Sequence, residues 1–69
     1  MKVRQVERIL SKHGFVRDRQ TGGHSQYKRS VKNGGTKLVT LVGRRGDDIP
    51  NGTLANIRRQ SGLPRRLFR

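Results

Sequence analysis

Two glycine-centred breaks, Thr21-Gly22-Gly23 and Asn33-Gly34-Gly35, cut the middle of this chain into three short runs. Glycine enters the left-handed backbone region without a side-chain clash, so both breaks read as tight reversals, and Asn-Gly is among the stronger short-range hairpin signals. The runs they separate suit strands. Phe15-Val16-Arg17-Asp18-Arg19-Gln20 mixes apolar and polar residues as a surface strand does, His24 to Ser30 is the second run, and Thr36 to Val42, rich in β-branched and apolar residues, is the third. Three strands joined by two short turns make an antiparallel meander.

Helical spacing occurs only outside that block. Val3, Val6, Ile9 and Leu10 recur at helical intervals and Gly14 follows His13 where a terminating left-handed residue is needed, which predicts a helix over 2–13. At the other end Asn51-Gly52-Thr53 offers a capping residue before Leu54 and Ile57, with Gly62 and Leu63 beyond, which predicts a helix over 53–61. A lone meander cannot bury its apolar residues, so the expected fold class is α+β. Its order is αβββα, with two helices on one face of a three-stranded antiparallel sheet, an arrangement similar to double-stranded-RNA-binding domains. Residues 1–63 would form a single domain. Pro64 to Arg69 carries three arginines without periodicity and reads as a basic, disordered C-terminal tail.

A chain of 69 residues with no cysteine has neither a disulfide frame nor a thiolate metal site to support its small core, so packing must hold it together. A deep cofactor pocket is not expected, and no cofactor is assigned. Seventeen Lys and Arg against four Asp and Glu leave a net charge of +13, self-repulsive unless a polyanion relieves it. A membrane surface would need a broad apolar helix face opposite the charges, and neither helix has one. The apolar run at Leu38–Val42 is far too short for a membrane span or a signal peptide. The reading is a soluble, cytoplasmic protein whose partner is nucleic acid, most reasonably RNA.

The basic residues are spread along the chain, nine in residues 1–35 and eight in 36–69, and the cluster nearest a possible site is Lys28, Arg29, Arg44 and Arg45. Any chemistry should centre on His24. It follows Gly22 and Gly23, a turn without side chains that lets a large ligand approach, and histidine is the side chain best suited to proton transfer near neutral pH. The bland alternative is an ordinary surface histidine. His13, at the end of the first helix, reads as a complement to the helix dipole. Strand periodicity puts His24, Gln26 and Lys28 on one face and Ser25, Tyr27 and Arg29 on the other, with Tyr27 packing beneath the helices and its hydroxyl at the edge. Two histidines without cysteine do not make a zinc site, no carboxylate cluster suits magnesium, and Asp47 and Asp48 read as loop-solubilising or second-helix dipole residues. No metal site is expected.

Taken in order, the segments RILSKHGFVRDRQ, TGGHSQYKR and DDIPNGTLANIRRQSGL resemble the HicA family of toxin-antitoxin ribonucleases over nearly all of residues 2–63. The resemblance implies a fold like that of double-stranded-RNA-binding domains and metal-independent cleavage of messenger RNA by a single histidine, here His24. It also implies an inhibitory HicB-like antitoxin partner. Two positions depart from the family's usual pattern: Gly23 stands where a serine commonly precedes the histidine, and Gly43-Arg44-Arg45 occupies a stretch that often leads through a proline to a second histidine. The alternative reading is a non-catalytic RNA-binding module of the same fold, and a third is a catalytically idle toxin relative. A binding module would usually carry lysines at the start of its last helix, where this chain has Asn51-Gly52-Thr53-Leu54-Ala55-Asn56.

Overall fold

A turn closed by two glycines joins the first pair of strands, as their spacing predicts. The computed structural model describes residues 1–32 and 34–68. Their order is α1 (Val3–Lys12), β1 (Val16–Thr21), β2 (His24–Ser30), β3 (Thr36–Val42), α2 (Asn51–Ser61) and a 3-10 turn, η1 (Arg65–Phe68). The sheet runs β1-β2-β3, antiparallel throughout, with the helices on one face, so the architecture is the expected αβββα. Thr21 pairs with His24, leaving Gly22-Gly23 as a two-residue loop. Only the first glycine has positive φ (58°), the pattern of a type II′ reversal, whose twist matches that of the strands it joins. In the second turn Asn33 lies outside the described residues. Beside it the Val31 N–H donates to the Gly35 carbonyl (3.0 Å) and the Gly34 N–H to that of Val31 (3.1 Å).

The core joins the predicted stripe of α1 and the inward Tyr27 to residues that no periodicity singled out. Val3, Val6 and Leu10 of α1 lie on one stripe; Tyr27 of β2, Val39 and Leu41 of β3, Ile57 of α2 and the loop residues Phe15 and Ile49 close around them. β1 contributes nothing, since all six of its residues are exposed. Its inward positions, opposite Tyr27 and Ser25, are Arg17 and Gln20, so no helix can seal that corner of the sheet. A register shift between Arg17 and Arg19 inserts one extra residue, Asp18, and puts the Asp18 carboxylate 3.0 Å from Lys28.

Two expectations are corrected. First, α2 starts at Asn51, not 53: its N-cap is Pro50, with φ −59°, no side chain caps the helix, and the Pro50 carbonyl accepts the Leu54 N–H at 2.9 Å. Proline's ring presets the entry geometry, which leaves Asn51-Gly52-Thr53 inside the first turn. Second, residues 64–68 are not disordered. Gly62, at φ 70°, reverses the chain; the buried Ser61 hydroxyl donates to the Arg58 carbonyl (2.9 Å) and accepts the Leu63 N–H (3.1 Å). Phe68 then enters the core, only 5% exposed. Burying a phenylalanine side chain contributes about 1.5–3 kcal/mol, a term that a reading based on arginine content and missing periodicity does not register.

Candidate functional site

His24 opens β2 on the uncovered face of the sheet and is exposed. Its cross-strand neighbours are Thr21 and Val42, and the rest of that face carries Gln26 and Lys28 of β2 with Leu38 and Thr40 of β3. Among the described residues the three large exposed apolar side chains, Val16 (66%), Leu38 (54%) and Val42 (57%), all lie here among the polar ones.

The loop after β3 is tied to the His24 hairpin through backbone. The Gly43 N–H donates to the Gly23 carbonyl at 2.7 Å, and Gly43 sits at φ 110°, a conformation that a side chain would strain. Asp47 then closes the loop, its carboxylate accepting the Arg44 N–H at 2.9 Å. Loop carbonyls satisfy the free N–H groups that begin α1: Asp47 accepts from Val3 (2.9 Å) and Arg45 from Arg4 (3.0 Å), while Lys2 pairs with Asp48 (3.2 Å). Asp47 and Asp48 therefore act in the loop, one of the two roles expected of them, and through it at the start of the first helix. Arg44 and Arg45 are held beside the hairpin by backbone, so their placement does not depend on their own side-chain contacts.

On the other side of that hairpin, where Arg17 and Gln20 leave the sheet unsealed, lies a cleft of about 590 Å³. Arg17, Arg44 and Arg45 give it positive charge, Gln20 and Ser25 give it hydrogen-bonding groups, and Gly22, Gly23 and Gly43 form a rim without side chains. Its one acid is Glu7, whose Oε2 accepts the Tyr27 hydroxyl at 2.9 Å. Tyr27 is buried as its strand position predicts, and its pKa is pushed up to about 12. Burial is the first cause; the hydrogen bond to Glu7 and that residue's negative charge add to it against the opposing pull of Arg17 and Arg45.

The structure brings together only part of the expected cluster. His24, the Gly22-Gly23 turn, Arg44 and Arg45 share one end of the sheet. Lys28 is on the His24 face but four residues along the strand, about 13 Å away, and is engaged by Asp18. Arg29 faces the helices: its Cδ lies 3.6 Å from where a side chain on Gly14 would begin, at the C-terminal end of α1. There a cation complements the helix dipole, which gives Arg29 a structural role away from His24. Sequence reasoning missed Glu7, Arg17, Gln20 and Ser25. Only the bulged register, which sets Arg17 opposite Tyr27, reveals their convergence.

Among the described residues no group of three His, Asp or Glu side chains could hold a metal ion, and no helix is long and apolar enough to cross a membrane. The profile of a protein family described as HicA toxin of bacterial toxin-antitoxin matches residues 3–63. No curated protein matches the chain.

Proposed function

The chain belongs to the HicA toxin family of bacterial toxin-antitoxin systems, and on that premise we propose that it is an endoribonuclease that cleaves messenger RNA with His24 as its proton acceptor. The observation that carries this reading is the exposed His24 beside a side-chain-free turn, with the Arg44-Arg45 loop tied to that turn by the Gly43–Gly23 hydrogen bond. An extended RNA strand can approach such a rim closely, and the arginines supply the charge that holds its phosphates.

The chemistry follows from RNA itself. The His24 imidazole takes the proton of a ribose 2′-hydroxyl, whose oxygen attacks the adjacent phosphorus. A 2′,3′-cyclic phosphate forms, the bond to the 5′-oxygen breaks, and that oxygen leaves with a proton delivered by water. Charge gathering on the non-bridging oxygens is met by Arg44 or Arg45, since Lys28, about 13 Å along the strand, suits a neighbouring phosphate. DNA lacks the nucleophile and is not cut. The departures at Gly23 and Arg45 fit this scheme: a hydroxyl and an imidazole are exchanged for closer backbone approach and a fixed positive charge.

Membership of the family implies an antitoxin partner. A HicB-like protein on the open sheet face would cover His24 together with Val16, Leu38 and Val42, side chains that otherwise face water. The test of the function is to incubate wild-type protein and His24→Ala with a long unstructured RNA in the presence of a chelator, measuring cutting and binding separately. Cutting lost with binding retained is expected. Equal cutting by both would overturn the role of His24, and binding without cutting by wild type would support a non-catalytic RNA-binding module instead.

A further inference from the structure

A second hollow, of about 660 Å³, lies between α2 and η1 on the helix-covered side, with the sheet between it and His24. Leu54, Ala55 and Phe68 line it together with Arg58, Arg65 and Arg66. It exists because Gly62 turns the chain back and Phe68 anchors the turn, so it depends on residues beyond the 3–63 segment that the family profile matches.

Among the described residues no acidic side chain is placed to neutralise this groove. All four of the chain's acids are engaged elsewhere: Glu7 with Tyr27, Asp18 with Lys28, Asp47 with the Arg44 N–H and Asp48 with Lys2. The groove's described lining holds no Asp or Glu. Three arginines over an apolar floor call for a ligand that carries carboxylates and apolar side chains together. Such arginines form charge-assisted, often bidentate, hydrogen bonds, and arginine is enriched among the residues that dominate interfaces.

We propose that this groove docks an acidic, leucine-bearing segment of the antitoxin partner, a reading that rests on membership of the toxin-antitoxin family and not on the ribonuclease chemistry. RNA threaded past His24 on the open face does not run through a groove on the covered face. A partner anchored here stays attached while RNA competes for the open face, and its second contact then forms at a high effective concentration.

The test uses the full chain and two labelled probes, a short peptide alternating glutamate and leucine and a single-stranded 2′-O-methyl RNA that cannot be cut. Binding is read by fluorescence anisotropy for wild type and for Arg58→Gln/Arg65→Gln/Arg66→Gln. A control of equal charge loss, Arg8→Gln/Lys12→Gln/Lys32→Gln, changes exposed positions outside both sites. The groove variant is expected to weaken peptide binding at least about tenfold, with the control variant and RNA binding each changing less than about threefold. Equal losses in both variants would reduce the effect to net charge and overturn the proposal. Loss of RNA in place of peptide would make the groove an RNA anchor and also overturn it. Circular dichroism checks folding; should the triple variant not fold, Arg65→Gln/Arg66→Gln, both on exposed residues, is read against the same criteria with a loss of at least about threefold expected. Failure of wild type to cut RNA would leave the peptide result intact, so the two readings fail separately.

Discussion

Replacing Tyr27 with phenylalanine removes one oxygen from a side chain that is otherwise in the core, and the structure sets both the size and the pH signature of the effect. The hydroxyl donates to the Glu7 carboxylate at 2.9 Å. A hydrogen bond to a charged group is worth about 1.5–3 kcal/mol, and because Glu7 is half-exposed the lower end applies, so Tyr27→Phe should cost about 1.5 kcal/mol near neutral pH. For a domain of this size that lowers Tm by about 6–12 °C. Tyr27 has its pKa raised from 10.0 to about 12 in the folded protein. Folding therefore favours the protonated phenol: the contribution is fully present below pH 10 and is lost as pH rises toward about 12. Two pKa units correspond to at most about 2.7 kcal/mol, and solvent screening at the half-exposed carboxylate reduces this to about half. Denaturant unfolding followed by circular dichroism, from about pH 8 to about pH 12, should show wild type losing this increment relative to Tyr27→Phe, whereas lysine titration is common to both. Parallel stability curves for the two proteins across that range would refute the raised Tyr27 pKa, of which burial is the first cause and the Glu7 contact the second.

Gly43→Ala forces a side chain onto a residue at φ 110° and places its Cβ 3.1 Å from the Asp47 carboxylate that closes the arginine loop. It should cost about 1–3 kcal/mol and reduce RNA cutting together with thermal stability; an alanine variant that melts and cuts like wild type would mean that the loop is not held as described. Binding of uncut single-stranded RNA should fall steeply with salt. For about five neutralised phosphates the log–log slope is about −3.5, roughly a hundredfold between about 50 and 200 mM, measured by anisotropy; a slope shallower than about −1 would argue against a phosphate-binding surface.

The strands and the first helix were legible because their signals are local. A two-glycine reversal sets the β1–β2 register, and the parity of β2 then assigns Tyr27 to the core and His24 to the open face without further information. Arg29 shares the parity of Tyr27, yet its role at the end of α1 depends on where a separate helix stops, which strand periodicity does not encode. The cleft was hidden for a similar reason. Arg17 reaches it only because a bulge at Asp18 shifts the pairing, and Glu7 only because α1 crosses that corner of the sheet. The second helix began earlier than its side chains suggest, since Pro50 supplies through its ring the geometry expected of a capping hydroxyl.

By itself the sequence determined the order of elements, the inward stripes of α1 and β2, the position of His24 beside a side-chain-free turn, and a strong excess of positive charge. Each of these follows from spacing, parity or a sum over residues, and needs no knowledge of which distant segments meet. Only the tertiary structure decided that the loop carrying Arg44 and Arg45 is tied to the hairpin that holds His24, while Lys28 pairs with Asp18 and Arg29 lies at the end of α1. It alone showed that Phe68 pins the C-terminal residues into an arginine-walled groove. Those outcomes depend on long-range packing, in which one buried aromatic ring or one bulged register outweighs the local preferences of the residues around it.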